Sequence, residues 1–205
     1  MLRIYLARHG QDEDNANGLL NGRRDMPLTE IGVKQAEDLA AAIGKFGLKF
    51  TAIYSSPLVR ARKTAQIVAE ATGNPAPVVM PDLIERDFGA MAGKPIADVQ
   101  GLPPADVLYA SPVTYFLHPE GGETFPQAIV RAQKVLDHIY SHVPDGDILL
   151  VTHGDIGKMI YALYYRLKWR DVLATFHLGN ADLLVMAEDS SPHETHVYEA
   201  TQYNI

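Results

Sequence analysis

Short apolar runs alternate along this chain with longer stretches whose apolar positions recur every three or four residues, and that alternation predicts an α/β fold. Strands are expected near residues 2–7, 51–55, 77–80, 147–152, 173–177, 182–187 and 195–199. Thr29 to Phe46 reads as a helix, with Thr29 as N-cap and Ile31, Val33, Ala36, Leu39, Ala40 and Ile43 near helical spacing. Gly44 and Gly47 punctuate its end. A second helix is expected over 57–72, with Ser56 as N-cap, Pro57 at the first helical position and Gly73 beyond the end. A third runs roughly over 123–142 and a fourth over 155–167. Residues 92–122 hold five of the thirteen prolines and lack a long periodic run, so they read as a flap.

The 205 residues suffice for one sizeable core, and one domain is the default. No cysteine is present, which excludes disulfides, thiolate metal sites and a cysteine nucleophile, and fits a cytoplasmic protein. The N-terminus lacks a basic-then-apolar signal pattern, and no apolar run approaches the roughly 18 residues of a membrane span, so no membrane partner is expected. A net charge of -7 argues against nucleic acid as a partner. An anionic small molecule would need a local cationic pocket. The apolar C-terminal strands could pair across two subunits as a homodimer.

Three predicted strands supply such a pocket. The first ends in Arg8-His9-Gly10, the second in Ser55-Ser56-Pro57 with Arg60 one turn beyond, and the fourth in Thr152-His153-Gly154. In open α/β sheets ligands bind outside the carboxyl ends of the strands. Arg grips phosphate oxygens with a planar fork, and His can act as nucleophile or proton carrier, so a phosphoryl group suits this set. His9 reads as nucleophile rather than as a loop histidine satisfied by a carbonyl, with Gly10 leaving room for an oxyanion. His153 reads as a donor to phosphate rather than as a core histidine capping its turn. Arg60 would combine its fork with a helix N-terminus, whereas Arg62 and Lys63 turn to other faces. A leaving oxygen also needs a proton, which Glu85 could carry. From spacing alone Asp82 or Asp87 serves equally. No spacing suggests a metal site, His138 and His142 read as a solvated helix face, and no cofactor motif is present.

Arg8-His9-Gly10-Gln11 with Asn15, Asn21-Gly22-Arg23-Arg24-Asp25-Met26-Pro27-Leu28-Thr29, Ser55 through Ala65, Leu83 through Gly93, Val151-Thr152-His153-Gly154 and Gly179-Asn180-Ala181 together resemble the histidine phosphatase superfamily, the phosphoglycerate mutase-like proteins. The match covers nearly the whole chain in order. The resemblance implies a three-layer α/β/α sandwich with a mostly parallel mixed sheet and a phosphohistidine intermediate formed without metal. It selects Glu85 as the acid and implies His9 as nucleophile, with Arg8, Arg60 and His153 on the phosphoryl group. Gln11, Asn15, Asn21, Gly22, Arg23 and Gly154 would line the pocket.

The chain departs from the pattern at Asp12 and Asp155, where family members commonly carry Ser or Thr and mutases carry Asn. These carboxylates are expected to narrow the substrate range and disfavour bisphosphates, partly neutralised by Arg23 and Arg24. Mutases also carry paired arginines in the middle segment, and Ala110 to Phe116 has none. That favours a phosphatase of the histidine acid type acting on a small phosphate ester, because water can reach the phosphohistidine before a retained product does. The alternatives are mutase-type phosphoryl transfer and a catalytically weak phospho-ligand-binding protein.

Overall fold

A computed structural model describes residues 1–111, 113–192 and 195–203. The strands are β1 (Leu2–Arg8), β2 (Ala52–Ser55), β3 (Val78–Val79), β4 (Val107–Ala110), β5 (Val113–Phe116), β6 (Gly146–Thr152), β7 (Leu183–Met186) and β8 (His196–Tyr198). The helices are α1 (Glu13–Ala16), α2 (Glu30–Lys45), α3 (Val59–Thr72), α4 (Phe125–His142), α5 (Gly154–Tyr164) and α6 (Trp169–Thr175). Six strands form one sheet in the order β3-β2-β6-β1-β7-β8. The first four run parallel, and β7 and β8 pair antiparallel.

Period-two alternation sends neighbouring side chains of β1 to opposite faces. Ile4 and Leu6 join Ile148 and Leu150 in a core that includes α4 and α5 residues such as Phe125, Ile139 and Ile160. Tyr5 and Ala7 join Leu149, Val151 and Ile53 against Leu39, Ile43, Ala65 and Val68 of α2 and α3. The result is the expected three-layer α/β/α sandwich. β6 lies between β1 and β2 and is buried from Ile148 onward, so His153 leaves a strand covered on both faces.

Helix ends follow local chemistry. Thr29 caps α2 by accepting from Gly32 N, and Gly47 follows at φ 65°. α4 starts two residues later than expected, with Thr124 and Gln127 forming a reciprocal capping box. α3 also starts late. Its N-cap is Leu58, while Ser56 faces the site instead of capping.

Two expectations are corrected. Residues 173–177 are not a strand, because α6 occupies Trp169–Thr175 and buries Val172 and Leu173. Trp169, Val172, Leu173 and Phe176 fall at helical spacing, which the shorter window hid. Residues 92–122 are not wholly irregular: β4 and β5 form a separate antiparallel hairpin packed by Phe116 against Phe88, Met91 and Val99.

Candidate active site

The carboxyl ends of adjacent strands β1 and β6 bring His9 and His153 together, with ring centroids 5.0 Å apart. His9 N–H bonds to the Thr152 carbonyl at 3.0 Å, so the two strand ends share one hydrogen-bond ladder into the site. Nδ1 of His9 lies 2.6 Å from the Gly10 carbonyl, which can only accept. Nδ1 therefore carries the proton and Nε2 keeps its lone pair. Arg60 Nε donates to that Nε2 at 3.2 Å and to His153 Nδ1 at 3.3 Å. His153 Nε2 is thereby left as the donor to Ser56 Oγ, 2.7 Å away. Burial, with the nearby Arg60 and Arg8, lowers both histidines well below the ordinary imidazole value. Both rings are neutral at neutral pH.

Arg60 is fully buried, but its fork does not point freely into the site. Nη1 donates to Arg24 O at 2.6 Å and Nη2 to Gly22 O at 2.7 Å, holding the loop after α1. Only the Nε edge faces the histidines, and it also lies 3.2 Å from Asp12 Oδ2. Asp12 is therefore neutralised by Arg60, not by Arg23 or Arg24 as expected. Its carboxylate also accepts from Asn15 N at 2.8 Å, capping α1, and from Asn21 Nδ2 at 2.6 Å. Burial still raises Asp12 above the usual carboxylate value. Arg8 donates Nη1 to Leu178 O at 2.9 Å, while its buried Nε has no partner. An orphaned guanidinium N–H beside two neutral histidines is a ready donor for an anion.

Glu85 sits where the loop after β3 crosses the N-terminus of α5. Its Oε1 accepts from Arg86 N at 2.7 Å and Ile156 N at 3.1 Å, and Oε2 accepts from Asp155 N at 3.1 Å. Burial and the neighbouring Asp155 carboxylate raise its proton affinity, and the three N–H bonds oppose that rise. Asp82 and Asp87 are less buried, and Asp87 pairs with Arg23 at 3.4 Å. Gly154 lies between acid and cation: a Cβ there would stand 3.9 Å from Glu85 Oε2 and 4.0 Å from Arg8 Cζ.

The remaining expected residues divide. Asn15 Oδ1 accepts from Asn180 Nδ2 at 3.1 Å, and that amide also donates to His9 O. Asn21 Oδ1 accepts from Gly22 N, and Gly22 turns at φ 51° with Phe88 where a Cβ would be. Gln11 is spent on α2, since its Oε1 accepts from Thr29 Oγ1 at 2.8 Å. Arg23 donates to Glu85 O at 3.1 Å and pairs with Glu123, lining a 310 Å³ cavity with Asp87, Gly121, Gly122, Glu123 and Gln127. Arg24 pairs with Asp14, and Asp155 pairs with Arg86 at 2.8 Å. A Cβ on Gly10 would strike the Gly32 carbonyl, so this glycine also lets α2 approach His9. Arg62 and Lys63 are exposed, as are His138 and His142.

Several contributors were not assigned a site role from the sequence, although Ser56 and Thr64 lie within the Ser55 to Ala65 stretch. Ser56 orients His153, and Thr64 Oγ1 accepts from Gly10 N at 3.1 Å. Arg131 reaches from α4 to Glu123 and to the carbonyls of Asp82, Ile84 and Glu85. Lys158 on α5 is buried, bonds to the Tyr115 hydroxyl of β5, and is brought down to about 8 by burial.

A sequence model of the histidine phosphatase superfamily (branch 1) matches residues 4–199. The chain belongs to this superfamily. It is 33% identical over 174 residues to a 2,3-bisphosphoglycerate-dependent phosphoglycerate mutase of Sinorhizobium fredii, covering 83% of this chain and 82% of that protein. It is 35% identical over 161 residues to a metal-independent phosphoserine phosphatase of Arabidopsis thaliana, covering 77% and 66%. Among solved structures, phosphoserine phosphatase from Entamoeba histolytica superposes with a TM-score of 0.76 at 26% identity, covering 100% of this chain and 98% of that one. A mycobacterial glucosyl-3-phosphoglycerate phosphatase complexed with VO3 gives 0.75 at 26%, covering 98% of each. As a histidine phosphatase superfamily member, the chain has relatives that are both phosphatases and mutases. Among its described residues, no helix is long and apolar enough to cross a membrane.

Proposed function

We propose that this protein is a metal-independent phosphomonoesterase that cleaves a small phosphorylated metabolite through a phosphohistidine on His9. The observation that carries this reading is the 2.6 Å contact between His9 Nδ1 and the Gly10 carbonyl, which selects the tautomer. With Nδ1 held on the Gly10 carbonyl, Nε2 presents a lone pair between Arg60 and His153. A phosphoryl group arriving there takes the Arg60 Nε–H and the unpartnered Arg8 Nε–H, which frees Nε2 to attack phosphorus. As the N–P bond forms, the ester P–O bond breaks and Glu85 gives its proton to the leaving oxygen. Water then attacks the phosphohistidine, Glu85 takes a proton from that water, and inorganic phosphate leaves as His9 is regenerated. Arg60 and Arg8 meet the charge that grows on the equatorial oxygens, while His153, whose proton is held on Ser56 Oγ, steadies Arg60 through Nδ1.

Acid-stable mass analysis is unsuited to phosphohistidine, so the test is alkaline quench of the enzyme during turnover of p-nitrophenyl phosphate. Phosphate on His9 is expected, with turnover intact in EDTA and at least a thousandfold lower in His9→Ala, on the order seen when a nucleophile is removed. Substantial turnover by His9→Ala overturns the reading. The second reading is phosphoglycerate mutase activity, favoured by the 33% identity to the Sinorhizobium fredii mutase. Isomerisation of 3-phosphoglycerate primed by 2,3-bisphosphoglycerate, faster than phosphate release, would establish it. The absence of arginines from Ala110 to Phe116 supports hydrolysis instead.

A further inference from the structure

Two of the three N–H groups that hold the Glu85 carboxylate belong to Arg86 and Asp155. The side chains of those same two residues pair with each other, Arg86 Nε to Asp155 Oδ2 at 2.8 Å. Glu85 is thus enclosed in a ring: main chain of 86, side chain of 86, side chain of 155, main chain of 155. Arg86 cannot drift within it. Its Nη1 donates to Glu123 O at 3.1 Å, and its guanidinium lies over the rings of Phe116, Phe125 and Phe88 at 4.4, 4.3 and 4.9 Å. Those rings come from β5, from α4 and from the loop after Glu85, so three separate parts of the fold fix one arginine. Such a buried ion pair adds little net stability, which makes a role in specifying geometry the better account of it.

We propose that the Asp155–Arg86 pair is a positioning device that holds Glu85 as the proton carrier of the reaction and sets the Asp155 carboxylate charge beside it. This inference rests on the reading of Glu85 as proton donor. The groups facing Glu85 are mostly cationic: Arg8 from β1, Arg60 from α3, Lys158 from α5 and Arg86 from its own loop, with Arg23 and Arg131 on its carbonyl. Tyr115 faces it from β5. A carboxylate among so many cations would ionise readily. Apart from burial, the Asp155 charge is the neighbouring influence that opposes this. An Asn at 155 would keep the N–H to Glu85 and drop the charge.

Asp155→Asn separates the charge from the shape. The direct readout is a carbon-13 NMR titration of glutamate side-chain carboxyls, with the Glu85 signal assigned by its loss in Glu85→Gln. The Glu85 midpoint is expected to move to lower pH in Asp155→Asn, and the alkaline limb of kcat/KM for an alkyl phosphate should move with it. A limb that moves down by one pH unit lowers alkyl phosphate hydrolysis above it about tenfold. Hydrolysis of p-nitrophenyl phosphate, whose leaving group departs without a proton, should change far less. Arg86→Lys keeps a cation and tests position alone: kcat for the alkyl phosphate should fall at least tenfold with KM nearly unchanged. An unmoved Glu85 midpoint in Asp155→Asn, or equal losses for both substrates in Arg86→Lys, overturns the proposal. The NMR titration does not require turnover, so an inactive wild type would refute the hydrolase reading and leave the charge effect on Glu85 separately measured.

Discussion

Asp12 and Arg60 are both fully buried, and each is the other's counter-ion at 3.2 Å. Removing one member of such a pair leaves an uncompensated buried charge, which typically costs about 3–5 kcal/mol. Asp12→Asn should sit near the lower end, because the amide still accepts from Asn15 N, and it should unfold at distinctly lower urea than the wild type. The orphaned charge is Arg60, whose Nε faces His9 and His153. A bound phosphate or vanadate can replace the missing carboxylate. Millimolar phosphate should therefore raise the Tm of Asp12→Asn more than that of the wild type, in the way ligand binding to the folded state always stabilises. Equal phosphate effects on the two proteins would mean that Asp12 does not compete with the anion.

At the scale of elements, α2 reaches the site only because two glycines face each other. A Cβ on Gly32 would strike the Gln11 carbonyl, and one on Gly10 would strike the Gly32 carbonyl. Gly32→Ala must therefore push the first turn of α2 away from the loop that carries His9. Overpacking of this kind costs about 1–3 kcal/mol, and the shift of the His9 main chain should lower kcat although Gly32 touches no substrate. Full activity in Gly32→Ala would show that the loop adapts without moving His9. Elements of this kind explain what the sequence disclosed. His9, Arg60 and His153 each follow a largely apolar strand run, so their place at one sheet edge was legible. α6 was not, since Leu173 to His177 viewed alone has the β-branched and aromatic character of a strand. The hairpin of β4 and β5 hid in a proline-rich stretch. The ion pairs Asp12–Arg60 and Arg86–Asp155 join residues distant in the chain, and no local pattern encodes such a partner.

Across the whole molecule, folding buries neutral histidines and carboxyls of raised proton affinity in one place, and the two kinds respond to pH in opposite directions. His9 and His153 have folded-state values well below the ordinary 6.5, so the unfolded chain binds more protons than the folded one once the pH drops below about 6.5. Their contribution to stability is complete above that pH and is lost as it falls. Glu85 and Asp12 have raised values, so theirs is complete below the ordinary carboxylate range and is lost as pH rises through the folded-state value. The acid limb of the wild-type stability curve is therefore a partial cancellation, and it does not report either kind alone. A difference measurement does. His9→Gln removes one titrating imidazole while an amide of similar reach can still donate to the Gly10 carbonyl. The stability gap between wild type and His9→Gln, measured by urea unfolding, should shrink as pH falls from 7.5 to 5.5. The steepest part of that decline should approach about 1.4 kcal/mol per pH unit, the slope for one proton. A gap that stays constant over this range would show that His9 takes up its proton in the folded protein as readily as in the unfolded chain. In that case Nε2 would be protonated in mild acid, and the neutral nucleophile would need another explanation than burial beside Arg60 and Arg8.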